Sequence, residues 1–306
     1  MELMERYQGC LLGLACGDAV GTTLEFKPRG SFEPISDMIG GGPFNLEPGQ
    51  WTDDTSMALC LAESLIERNG FDPLDQMERY LRWYRTGYLS STGVCFDIGG
   101  TTASALRRFE KTSDPFSGPT DSHSAGNGSL MRLAPVPLFF FPDRDVMIFY
   151  AGESSRTTHG AKECIDACRL FASILFNALS GMDKERVFFD HDETIVESPA
   201  VREILKGSYK GKAEDQIKGT GYVVKSLEAA LWCFYTTNTF KEAVLKAANI
   251  GDDADTTAAI CGQVAGAHFG GDGIPDSWLK KMAMGKDIEL LARKLCMIGK
   301  VRHMSE

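Results

Sequence analysis

The segment ADTTAAICGQVAGAHFG, residues 254–270, constrains the fold more than any other stretch of the chain. Over three turns it carries small residues and few charges. A helix this bare of bulky side chains is packed closely on every side, so it belongs at the centre of the structure. Helix-period apolar spacing or long helix-forming runs recur in RYQGCLLGLACGDAVG, TSMALCLAESLIER, PLDQMERYLRWYRTG, GGTTASALRRFE, AKECIDACRLFASILFNALS, SPAVREILKGSY, GYVVKSLEAALWCFYT and TFKEAVLKAANI. Several open on Asp-Pro, Thr or Ser and close on Gly or Asn. Alternating β-branched runs are nearly absent. The pattern predicts an all-α fold, a compact orthogonal multi-helix bundle, with loops concentrated at residues 26–51, 111–128 and 206–221. No linker, low-complexity tract or repeat divides the 306 residues, so 1–306 reads as a single domain.

The central helix is entered through GDDADTT (251–257), and another apolar helix through GQWTDDTS (49–56). Thr and Asp at a helix start ordinarily cap free backbone N–H groups and meet the positive end of the helix dipole. One such cluster alone reads as capping. Two buried helices that both begin in several carboxylates are different, because unpaired buried carboxylates are too costly to keep. A divalent ion removes that cost, and hard oxygen donors select Mg²⁺, Mn²⁺ or Ca²⁺ over zinc.

Other stretches carry weaker signals. In SAGNGSLMR (124–132), Gly126 and Gly128 flank Asn127, a spacing that lets backbone N–H groups turn toward an anion and that also suits an ordinary loop. GDAVGTTLEF (17–26) brings Asp18 and Glu25 out of a Gly/Ala helix. Asp18 suits a cap at the end of that helix, and Glu25 in apolar surroundings suits an acid or base. Asp97 in FDIGGTT (96–102) precedes a Thr-led helix, where capping is the plain reading. His159 in RTTHG is one of five histidines, too few and too scattered for a zinc triad. Neither a GxSxG nucleophile turn nor a P-loop lysine motif is present.

Composition bounds the partners. With 43% hydrophobic and 24% charged residues the chain is that of a soluble globular protein, and a net charge of −10 argues against general nucleic-acid binding. The nine cysteines are odd in number and without a CxxC pair, which predicts buried free thiols in a reducing compartment. No signal peptide or membrane-length apolar run is apparent. A cytoplasmic monomer is the expectation.

In their order, GDAVGTTLEF, PGQWTDDTSMAL, FDIGG, SAGNGSLMRLAP, TTHG and NIGDDADTTAAICGQVAGA resemble the ADP-ribosylglycohydrolases of the dinitrogenase-reductase-activating type, from about Tyr7 to Trp278. The resemblance implies an all-α fold with a binuclear Mg²⁺ or Mn²⁺ centre. It also implies removal of ADP-ribose from a modified protein side chain or a small ADP-ribosyl substrate. It assigns Thr52, Asp53, Asp54, Asp253, Asp255 and Thr256 as metal ligands, with Asp252 behind them. Glu25 and Asp97 match the catalytic carboxylates. Gly126, Asn127, Gly128 and Ser129 match the loop on the diphosphate and ribose, and His159 and Tyr222 match residues lining the nucleotide cleft. Many relatives carry Asn after the FDIG glycine, where this chain has Gly100, which leaves the linkage preference open.

The implied chemistry is coherent. Breaking the bond between the ribose anomeric carbon and a side-chain atom develops oxocarbenium character. Two ions would hold the ribose hydroxyls and orient a water. Glu25 would serve the water and ribose, and Asp97 the leaving side. A guanidinium leaving group needs little protonation, which favours positioning over acid catalysis. Two rivals differ in class: a catalytically silent ADP-ribose-binding or structural member, as in lens crystallins, and a two-metal nucleotide phosphohydrolase. Intact acidic clusters count against the first, and the missing His-rich ligand set against the second.

Overall fold

On the first helix, glycines recur at every fourth residue: Gly9, Gly13, Gly17 and Gly21. Residues four apart share one helix face, and this face lies directly on another backbone. A β-carbon at the four positions would run into the carbonyl oxygens of Gly266, Gly262, Ala258 and Ala254 respectively. The pairing order makes the two helices antiparallel. The end of the first, carrying Asp18 and leading to Glu25, therefore meets the start of the second, carrying Asp253 and Asp255.

The computed structural model describes residues 1–189 and 191–303. Its helices are α1 (Leu3–Gly21), α2 (Asp53–Arg68), α3 (Pro73–Thr86), α4 (Gly100–Thr112), α5 (Pro135–Phe140), α6 (Arg144–Arg156) and α7 (Lys162–Leu179). There follow α8 (Lys184–Val187), α9 (Pro199–Leu205), α10 (Val223–Tyr235), α11 (Phe240–Ala248), α12 (Ala254–Phe269), α13 (Asp276–Lys281) and α14 (Gly285–His303). Among the described residues the only β pairings are the isolated bridges Gly41–Leu46 and Gly126–Tyr222. The fold is all-α, as its sequence periodicity predicts.

Helix α12 is the buried axis, with every residue from Ala254 to Ala267 buried. Helices α1, α7, α10 and α11 pack around it, and α14 covers the outer side of α1. The run SPAVREILKGSY is helical only over Pro199–Leu205, because Gly207 adopts φ +78° and turns the chain away. Helices α5, α6, α8, α13 and α14 lie outside the runs marked by sequence. Among the described residues no helix is long and apolar enough to cross a membrane.

Candidate active site

Asp18 lies fully buried in the last turns of α1, and it caps α2 instead of its own helix. Its Oδ1 accepts from the Thr52 N–H at 2.9 Å and the Thr52 hydroxyl at 3.0 Å. Its Oδ2 accepts from the Thr55 N–H at 3.0 Å and the Thr55 hydroxyl at 2.6 Å. The reading of Asp18 as a cap on α1 is thus corrected. Capping of α2 is also taken over, which releases Asp53 and Asp54 from that duty. Likewise Asp253 at the start of α12 makes no side-chain cap. The cap residue of α4 is Gly99, with no side-chain bond from Asp97. Capping does not explain these carboxylates.

They gather instead in one cavity of about 330 Å³, whose wall includes Glu25, Asp53, Asp54, Asp97, Asp253 and Asp255. Glu25, Asp97 and Asp255 bring carboxylate oxygens within 4.8 Å of one another, a proximity that repulsion opposes unless protons or a cation lie among them. Burial pushes Asp53, Asp54 and Asp255 well above the usual carboxylate range, with neighbouring carboxylates adding to it. Glu25 and Asp97 are pushed up by burial first. The buried Glu25 Oε2, Asp54 Oδ2 and Asp255 Oδ1 have no hydrogen-bond partner. Acceptor oxygens left bare in a buried acidic cluster suit a hard divalent cation. The donor set therefore fits the metal that the sequence implies.

Of the remaining expected residues, Thr256, Gly126, Asn127, Gly128 and His159 also line the cavity. Asn127 donates to Asp253 Oδ2 at 2.7 Å and Ser226 Oγ at 2.8 Å, tying its loop to α10 and to the start of α12. Thr256 donates to Asp54 Oδ1 at 3.3 Å, linking the two acidic clusters directly. Burial pushes His159 down to about 3, so its ring is neutral at physiological pH. The ring backs the glycine loop, since a β-carbon on Gly128 would come within 2.8 Å of it.

Three expected residues stand apart from the cavity wall. Thr52 lies beneath it, donating to Asp18 and, at 3.3 Å, to Asp255 Oδ2. The Ser129 hydroxyl faces the interior, accepting from Ser155 Oγ at 2.8 Å. Tyr222 is bridged to Gly126 through its backbone, and its hydroxyl donates to Glu163 at 3.1 Å. Asp252, at φ +56°, lies off the wall and pairs by backbone with the segment after Glu25, accepting from the Phe26 N–H and donating to the Lys27 carbonyl. Sequence reasoning missed Phe26, Ile98, Thr101 and Thr102 on the wall, although each adjoins or lies inside a motif it had singled out.

A family model of ADP-ribosylglycohydrolases matches residues 1–303. This chain belongs to the ADP-ribosylglycohydrolase family. It is similar to the ADP-ribosylarginine hydrolase Tri1 of Pseudomonas putida (strain GB-1), at 45% identity over 96% of this chain and 78% of that protein. It is also similar to the ADP-ribosyl-[dinitrogen reductase] glycohydrolase of Rhodospirillum rubrum, at 31% identity over 94% of this chain and 93% of that one. Among solved structures, an ADP-ribosylglycohydrolase-related protein complex superposes with a TM-score of 0.86 at 42% identity, covering 97% of this chain and 99% of its counterpart. The protein is accordingly a hydrolase of the ADP-ribosylglycohydrolase type, acting on glycosyl bonds, with a buried acidic group suited to a metal ion.

Proposed function

We propose that this ADP-ribosylglycohydrolase cleaves the N-glycosidic bond between ADP-ribose and an arginine side chain, using two Mg²⁺ or Mn²⁺ ions. The observation that carries the reading is the convergence of Glu25, Asp97 and Asp255 within 4.8 Å in a cavity bordered by the Gly126–Gly128 loop. The choice of arginine draws on the Pseudomonas putida relative, which is named for ADP-ribosylarginine. Thr52, Asp53, Asp54, Asp253, Asp255 and Thr256 would hold the ions, the Thr52 hydroxyl lying 3.3 Å from Asp255 Oδ2. Bound there, the ions supply positive charge for the ribose hydroxyls and lower the pKa of a nearby water.

The chain's own groups divide the remaining work. The Gly126 and Asn127 N–H groups are committed to the Ser124 and Gly221 carbonyls, which leaves the N–H groups of Gly128 and Ser129 to meet the diphosphate. Glu25 accepts the proton of the attacking water as the anomeric carbon gains positive charge. Asp97 faces the departing nitrogen and steadies the guanidinium by charge. The test is incubation with arginine-linked and serine-linked ADP-ribosyl peptides in Mg²⁺, with release followed by mass spectrometry. Release from arginine is expected to dominate. Release from serine alone, or of phosphate in place of ADP-ribose, would reject the proposal.

A further inference from the structure

Phe26 directly follows Glu25 and lines the same cavity, yet it is 65% exposed. A large apolar side chain at a polar cavity mouth gives up burial, and this one also holds a strained backbone, φ +61°. The left-handed region is uncommon for a bulky residue and persists only where the surroundings enforce it. Here they do: the Phe26 N–H donates to the Asp252 carbonyl at 2.7 Å, and the Asp252 N–H donates to the Lys27 carbonyl at 2.9 Å. The ring is backed by Phe44, edge-on at 6.5 Å between centroids, and Phe44 in turn by Phe96 at 5.1 Å. Phe96 immediately precedes Asp97. An aromatic wall thus joins the two loops that carry the candidate catalytic carboxylates.

We propose that Phe26 is a specificity-determining residue whose ring face receives the guanidinium of the modified arginine. The inference rests on the arginine-linked reading above. If the diphosphate lies on the Gly128 loop and the ribose at Glu25, the leaving side chain emerges past Glu25, beside this wall. A planar cation is attracted both to an aromatic face and to the carboxylates next to it. A neutral hydroxyl-bearing side chain gains nothing comparable from the ring.

The test compares Phe26→Leu, which keeps apolar bulk, with Phe26→Tyr, which keeps the ring, in Mg²⁺-loaded protein. The substrate is an arginine-linked ADP-ribosyl peptide, and inhibition by free ADP-ribose is measured alongside. For Phe26→Leu, KM is expected to rise about 2- to 30-fold with kcat nearly unchanged, the range of a cation–π contact. Phe26→Tyr should behave as wild type, and the inhibition constant of ADP-ribose should stay constant in both variants. An unchanged KM for Phe26→Leu overturns the proposal. So does a matching loss of ADP-ribose affinity, which would make the ring a nucleotide contact. If the wild-type protein releases nothing from the arginine-linked peptide, the arginine reading itself has failed and this inference falls with it.

Discussion

Asp18 on α1 receives both the backbone N–H and the hydroxyl of Thr55 on α2, at 3.0 and 2.6 Å, through one carboxylate oxygen. One buried side chain therefore sets where the acidic start of α2 stands relative to α1, and through the glycine face relative to α12. Replacing Asp18 by Asn puts an amide N–H against donors that need an acceptor, leaving buried groups unpaired at about 1–3 kcal/mol. Asp18→Asn should melt at lower temperature in EDTA as well as in Mg²⁺. An unchanged melting temperature in EDTA would show that the cap is not holding the site together.

The cavity carboxylates should behave in the opposite way. Asp53 and Asp255 are pushed upward by burial first and by the like charges around them second, so removing either one relieves both costs in metal-free protein. Asp53→Ala and Asp255→Ala are expected to melt in EDTA at or above the wild-type temperature. Their stabilisation by added Mg²⁺ should shrink, since a ligand stabilises only through its affinity for the folded state. Variants melting far below wild type in EDTA would mark these residues as structural and not as holders of a metal.

Much of this site was legible because its acidic residues are consecutive in sequence. TDDT and DDADT stand out locally, and the helices they open follow from apolar spacing. The role of Asp18 was not legible, since it depends on two helices meeting across 34 residues of chain. The glycine face of α1 was in principle readable from its four-residue spacing, but its meaning requires the partner backbone of α12. Helix α14 buries Ile288, Ala292, Leu295 and Cys296, an i, i+4, i+7, i+8 pattern that its many charges obscure. The hydroxyl partners of Tyr222 and Ser129 were not legible either: Glu163 and Ser155 lie 59 and 26 residues away in the chain.

The raised carboxylates also set a pH dependence. A carboxyl whose folded pKa is raised binds more protons folded than unfolded, so metal-free stability falls as pH rises. The fall begins near the unfolded value of about 4 and continues through the folded values, about 6 for Asp18 and about 7 for Asp97. His159, pushed down to about 3, acts in the other sense below its unfolded value of about 6.5. Comparing EDTA with Mg²⁺ at each pH removes that contribution. The Mg²⁺-induced rise in melting temperature is expected to grow from pH 5 to pH 8, as ion and proton compete for the same oxygens. A shift constant across that range would place the ion away from this cluster.

Glu25 and Asp97 approach each other within the same triad, Glu25 buried and Asp97 half-buried, and their surroundings suit different tasks. Glu25 keeps an unpartnered buried oxygen, Oε2, for a water's proton. Glu25→Gln preserves size and polarity without basicity, so ADP-ribose binding should persist while turnover falls about 10²- to 10⁴-fold. Asp97 holds φ +58°, a conformation that Asn tolerates, so Asp97→Asn removes charge without disturbing the loop. If Asp97 serves the departing group, its loss should cost more on the native arginine linkage than on a substrate with a good leaving group. Single-turnover hydrolysis of both substrates reads this directly, with calorimetric ADP-ribose affinity as the control. Near-normal turnover for Glu25→Gln would remove it from the chemistry. Equal losses on both substrates for Asp97→Asn would collapse the division of labour between the two carboxylates.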